Sequence, residues 1–461
     1  MFSLPGVLGL IIFLYVRPQE YFTFLQKIPL LYIFLGLALF GIIIDIKIRL
    51  ARPQTTQQLS WVVLFMVWCA ITVGIRAPNA MASSIIEIGI LLALYFVTAH
   101  SVQTFRGFHI LATTVLVIVL FLTTVGIHQH FAPLGCVQLD PNTQLNTVVG
   151  TFDGRSCINA QACYSNNPEP GAEYECERIG LFGTNTVAGR VRYRGWLNDP
   201  NELALTISIG LPFAFGFYSL ERKKRWLLFS VLITVAVLFC VKFTGSRGGL
   251  LVFAAVIGAY LVKRFRWKII LIGAIAFLPI LAMVLRAQGR ADASASSIER
   301  WGLLYDGMTM FRESPMIGWG FNQFSELNFL TAHNSYVLAP AELGLPGAFL
   351  WFGIIYVTIK GLLITLRRCK GKPEAKIGAV WAMTLLAALS GLLVGSFFLS
   401  FNYHMVFWVY IGLCGALFCA VKTHDPEWKI PFGVIDLGLL CSLTVGIISA
   451  LYVFTRLKPP T

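Results

Sequence analysis

His333 is one of seven histidines in a chain of 461 residues, and it opens the segment HNSYVLAPAELGLPG just ahead of an apolar run. Imidazole has an unperturbed pKa of about 6.5, which suits it to proton abstraction near neutrality. Asn334, Ser335 and Tyr336 beside it are groups able to fix a ring tautomer, although a histidine at such a boundary is also a common structural hydrogen-bonder. Arginines supply the complementary chemistry. Arg190, Arg192 and Arg194 alternate in GRVRYRGWLNDPNELAL, so an extended chain would put three guanidiniums on one face. Such forks clamp phosphate or carboxylate; a solvated or headgroup-facing cluster is the plain alternative. Arg247 in FTGSRGGL sits between two apolar runs, and glycines at 245, 248 and 249 would let backbone N–H groups come close to an anion. Its alternative is snorkelling to the interface. Arg286, Arg290 and Arg300 add cationic groups further on, and Asn201 and Asn334 add polar binding groups. His128 and His130 have the spacing of two metal ligands, but no third ligand accompanies them, so no metal site is expected.

The elements that must position these groups are membrane helices. Hydrophobic residues make up 57% of the chain, charged residues 13%, and mean hydropathy is +0.73, far beyond a soluble domain of this length. Apolar windows separated by short polar loops suit helices crossing a hydrocarbon layer of about 30 Å, not the alternation of a barrel. The expected fold is all-α and polytopic, with spans near 4–16, 29–46, 59–75, 83–99, 108–127, 202–220, 226–243, 248–262, 268–285, 345–366, 378–396, 404–421 and 433–455. ERKKR, KRFRWK and RRCKGKPEAK fall in loops on one side, which the positive-inside rule makes cytoplasmic. Much of the net charge of +14 is then topology signal. Dispersed among loops, these basic groups do not form the single surface that nucleic-acid binding requires.

The same orientation divides the chain into N-terminal helices (1–127), an outer loop (128–201), central helices (202–285), a second outer loop (286–344) and C-terminal helices (345–461). NDPNE should turn the chain and cap a helix beginning near Asn201, through Asn198 or Asp199. Ile298, Trp301, Tyr305, Met308 and Phe311 repeat at helical spacing, so residues 296–312 should form an amphipathic helix on the membrane. Of ten cysteines, Cys136, Cys157, Cys163 and Cys176 all fall in the first outer loop. Two disulfides with three possible pairings, or a zinc site, are the readings; the absence of a C-x-x-C pair and the loop's shortage of apolar residues favour disulfide staples.

From His333 onward, HN, nine residues and GLPG resemble the signature of the bacterial O-antigen ligase and polymerase superfamily. SSIERWGLLYDGMTMFRESPMIGWGFNQF resembles that family's Pro-x-x-Gly-x-Gly-x-x-x-Phe region, and GSRGG and RGWLNDPNELA resemble two earlier segments in the expected order. The likeness covers residues 190–420; the N-terminal half and the cysteine-bearing loop carry no family motif. It implies an integral-membrane type C glycosyltransferase of the bacterial inner membrane, using a glycan on undecaprenyl diphosphate as donor and no cofactor. The acceptor would be lipid A–core in a ligase, another lipid-linked repeat in a polymerase, or a protein hydroxyl. In that setting His333 would be the base, and Arg192 or Arg194, Arg247 and Arg286 or Arg300 would stabilise the leaving diphosphate. A flippase for lipid-linked glycan is the non-enzymatic reading. It fits the many spans, but the two halves show no internal repeat, and the polar groups gather in loops instead of at the midplane.

Overall fold

A computed structural model describes residues 1–139, 150–165, 168–264, 292–328, 330–369 and 376–457. The described chain is mostly helical and contains ten helices long and apolar enough to cross a membrane. In order, the principal helices are α1 (Ser3–Val16), α2 (Leu30–Lys47), α3 (Gln57–Arg76), α4 (Met81–His100), α5 (Phe105–Phe131), α6 (Pro200–Gly210), α7 (Pro212–Glu221), α8 (Lys224–Phe243), α9 (Arg247–Arg264), α10 (Asp292–Glu313), α11 (Ser335–Arg368), α12 (Lys376–Gly395), α13 (Met405–His424) and α14 (Val434–Leu457). α6 and α7 make one span broken at Pro212, whose ring removes a donor from the helical ladder. α1 and α9 are shorter apolar helices, and the expected span at 268–285 lies outside the described residues.

Burial orders the bundle. Most of α13 is enclosed, 89% of its apolar window, whereas α2 and α14 are 22% buried and form the rim. Helices apolar on all sides gain nothing from one another through the hydrophobic effect inside lipid, so packing and hydrogen bonds decide the contacts. Gln58 of α3 is an example: its amide donates to Thr358 of α11 and to the Ile411 carbonyl of α13, and accepts from Tyr95 of α4. At one end of the bundle the basic connections meet: Lys376 donates to the Leu220 carbonyl, Lys422 to that of Thr55, and Arg368 pairs with Asp425. The long loops gather at the other end.

Two boundaries at that loop end differ from expectation. α11 begins at Ser335, not near 345, because Asn334 caps it, so the second loop is shorter than read. α10 does not lie free on the membrane. It packs on α11 and α14, with Trp301 edge-on to Phe454 at 4.6 Å and Arg456 over the Tyr305 ring at 5.9 Å.

The first loop contains a small antiparallel sheet of β1 (Leu134–Leu139), β2 (Gly150–Ser156) and β3 (Tyr174–Arg178), in the order β2-β1-β3. Cys136 and Cys176 face each other across β1 and β3, yet each bonds elsewhere: Cys136 to Cys163 and Cys176 to Cys157. The apolar cluster buried there consists of Cys136, Cys157, Cys163 and Tyr174, so the covalent links stand in for a larger core.

Candidate functional site

The site is built around the approach to α11. His333 holds a left-handed backbone, φ 48°, which a non-glycine residue adopts only under tertiary constraint. The constraint is visible on both sides. Thr331 donates to the Ser400 hydroxyl. Ser335 donates its amide to the Ser396 carbonyl and its hydroxyl to that of Leu399, while accepting from the Phe401 amide and from the Asn402 side chain. The 396–402 connection thus grips the chain around the histidine.

The neighbours do not fix the ring as their types suggested. The Asn334 side-chain oxygen Oδ1 accepts from the Tyr336 and Val337 amides as the helix cap, and the Tyr336 hydroxyl donates to the Leu393 carbonyl. All three residues spend their groups on backbone, because the helix start and the packed loop each need those bonds more. The Asn334 amide nitrogen is buried without a partner among the described residues. Gly344, the first glycine of GLPG, does not begin the helix. It breaks α11 one helical segment further on, at φ 65°.

His333 itself is half-buried, and its pKa lies below the ordinary value: burial is the main cause, the Arg300 cation adds to it, and the Asp199 carboxylate opposes it. The ring is therefore neutral at neutral pH, with a lone pair free to take a proton and an anion placed to stabilise the imidazolium that results. Asp199, some 130 residues earlier in the chain, is the N-cap of α6, accepting from the Asn201 amide and side chain, both at 2.8 Å. Asn201 in turn accepts from Arg190 at 3.3 Å, and Arg190 donates to the Thr244 carbonyl at 2.8 Å. That places Arg190 over the turn leading into α9. Arg247, the first residue of α9, is exposed, and no described residue pairs with it. Between the starts of α6 and α9 lies a narrow cleft with room for about one water, lined by Asn201, Ser246, Gly248, Gly249 and Leu399 among others. It runs from the arginine turn to the connection that grips His333.

The alternating arginines do not form one clamp. Arg192 is buried, donating to the carbonyl and side chain of Asn185. Burial lowers its pKa, and Glu177, Glu175 and Asp199 pull it back. Arg194 donates to the carbonyls of Glu20, Phe182 and Gly183 and lies over the Tyr21 ring. The physical reason is local: the segment leaves the sheet after β3 and winds between turns whose free carbonyls capture each guanidinium separately. Arg286 and Arg290 fall outside the described residues. Arg300, half-buried on α10, is the cation nearest in effect to His333.

A second histidine, His404, has the place its position in the sequence suggests, that of a polar group at the end of a span. His404 caps α13 by accepting the Val406 amide at Nδ1, so Nε2 carries the proton and donates to the Trp196 carbonyl. Burial pushes its pKa down to about 4, and Glu202 stands 3.9 Å from Nε2. Its place directly before an apolar run marked it only as a polar helix end; its partners are some 200 residues away in sequence. The role of Asp199 beside His333 was hidden for the same reason.

The fold and this constellation define a polytopic helical membrane protein with a neutral histidine, a carboxylate and accessible guanidinium groups gathered at the loop end. Residues 232–352 match the family described as O-Antigen ligase, a stretch holding Arg247, Arg300 and His333 but not Arg190–Asn201. Over that stretch the chain is similar to the O-antigen ligase family, and the match leaves the N-terminal helices, the first outer loop and the last three helices outside it. No curated protein matches the chain.

Proposed function

We propose that this protein is a ligase of that family, moving a glycan from undecaprenyl diphosphate to an acceptor hydroxyl, such as one of lipid A–core, at the outer face of the bacterial inner membrane. The observation that carries the reading is the strained, neutral, half-buried His333 set between the charges of Arg300 and Asp199. In the transfer, the acceptor O–H gives its proton to the imidazole as its oxygen bonds to the anomeric carbon, and the bond from that carbon to the diphosphate oxygen breaks. Arg247 and Arg300, with Arg190 behind them, meet the charge that develops on the diphosphate. The lipid tail stays in the bilayer, which suits a site at the end of a helix bundle. Arg192 and Arg194 are structural in this reading, and no metal is required because guanidiniums supply the positive charge.

The test uses purified protein in lipid nanodiscs, an oligosaccharide on undecaprenyl diphosphate, and lipid A–core. Wild type should form the glycosylated acceptor and His333→Ala should not. Movement of donor without a new glycosidic bond would mean a flippase instead. Deleting the gene separates the enzyme classes: loss of all long chains from lipid A marks a ligase, single-repeat chains a polymerase, and unglycosylated protein an oligosaccharyltransferase.

A further inference from the structure

Glu342 is a carboxylate 1% exposed, in the helix that carries His333 at its start, and no cation pairs with it among the described residues. Backbone amides meet both of its oxygens, and the Tyr403 side chain also interacts with it. Oε2 accepts from Asn322 at 3.1 Å and Oε1 from Phe324 at 2.8 Å, both in the connection between α10 and α11. A buried carboxyl whose two oxygens meet backbone N–H groups ties the conformation of those groups to its own position, because a connection that moved away would leave both sides of those hydrogen bonds unsatisfied.

The surrounding backbone makes the same junction. The break at Gly344 frees the carbonyls that an unbroken helix would have used. Ala341 accepts from the Trp319 amide at 3.1 Å and Glu342 from Gly320 at 2.8 Å. Leu343 accepts from the Trp68 indole at 2.8 Å, and the Leu345 amide donates back to Pro315 at 2.7 Å. Gly318, at φ 73°, lies so close that a Cβ there would stand 2.3 Å from the Glu342 carbonyl. Asn322 also takes a left-handed turn, φ 58°, which aims two amides at one carboxylate. Phe321 packs on Tyr403 at 4.3 Å, so the connection that grips Ser335 joins the same cluster.

The tethered connection has Arg300 on the helix before it and His333 at its end. We propose that Glu342 is a positioning residue for glycan transfer, setting the relation of His333 to Arg300 by holding the 318–324 turn. The proposal rests on the function given above. It assigns Glu342 no contact with substrate.

The experiment pairs amide hydrogen exchange with kinetics on the full-length protein in nanodiscs, using undecaprenyl-diphosphate oligosaccharide as the donor probe. In Glu342→Gln, one amide donor must face an N–H. Exchange across 318–324 should quicken, and kcat should fall roughly 10- to 100-fold while donor KM stays within about threefold, because misplacement costs the chemical step and leaves Arg247 in place. Glu342→Asp, which keeps a carboxyl but not the reach, should recover part of kcat. If Glu342→Gln does not fold, Gly318→Ala pushes the same turn off from the loop side and should give the same pair of changes. Unchanged exchange in a folded variant overturns the positioning role whatever the chain transfers. Quickened exchange with wild-type kcat also overturns it. Transfer that survives His333→Ala sinks the base assignment alone, so the two failures are told apart.

Discussion

Arg192 and Arg247 are both arginines near the loop end of the bundle, and they have opposite fates. Arg192 is buried against Asn185 with three carboxylates in electrostatic range; Arg247 is exposed at the start of α9, with no described partner. A guanidinium already hydrogen-bonded and neutralised has little left for a ligand, whereas one without a partner beside a cleft can meet an incoming anion. The number of arginines therefore says less about an anion site than how each is already satisfied. The same contrast separates the histidines: both nitrogens of His404 are engaged as a helix cap and a carbonyl donor, while the ring of His333 is not drawn into its neighbours' hydrogen bonds.

The largest effect should come from His333. Its replacement by Ala should lower kcat/KM by roughly 10²- to 10⁴-fold, the usual range for a lost general base, with normal protein level in the membrane. His404→Ala should instead act on folding, since it removes the cap of the most enclosed helix. If the two variants lose transfer equally at equal folded yield, the distinction between free and engaged rings is wrong. Next is Arg247. Arg247→Ala should cost about 10²- to 10³-fold in transfer, and Arg247→Lys should restore only part, because an ammonium cannot form the paired bonds to a diphosphate.

Much of the bundle was legible in the sequence. Long apolar windows and basic loops are local signals, and the helices they predicted lie close to those observed. The boundary at Ser335 was missed because the apolar window reads as beginning at 345; the helix instead starts ten residues earlier and runs through Gly344 and Pro346 with a break, its freed carbonyls taken by Trp319, Gly320 and Trp68. The site was legible only in part. His333 and Arg247 stand out by type and position. The alternation of Arg190, Arg192 and Arg194 promised a shared face, but a period of two places side chains together only along a regular strand, and this segment leaves the sheet and wraps around turns. Asp199 and Glu342 act through partners far away in the chain, which no local pattern records.

A variant at Arg192 sharpens the comparison from the buried side. Arg192→Ala strips a satisfied donor from the Asn185 carbonyl and side chain, so stability should fall by about 1–3 kcal/mol. Thermal unfolding in detergent measures this. Transfer per folded molecule should stay within a few-fold of wild type, and a loss comparable to that of Arg247→Ala would return Arg192 to the anion site.

The smallest effect is also the most specific. Transfer requires the neutral imidazole, and the pKa of His333 is depressed, so the acid limb of kcat/KM against pH should lie below the ordinary histidine value. Asp199→Asn keeps a good helix cap but removes the anion that favours the imidazolium; the pKa then falls further and the limb moves to lower pH. Arg300→Gln removes the opposing cation, and the limb moves up. Each displacement should be less than about one pH unit, as befits partly exposed charges acting without a direct bond. Opposite movements from two variants on different helices would not arise from a general loss of folding, because a loosened site shifts both limbs the same way. Movement in one direction for both would mean that His333 answers to burial alone and that the charges flanking it take no part in setting its protonation.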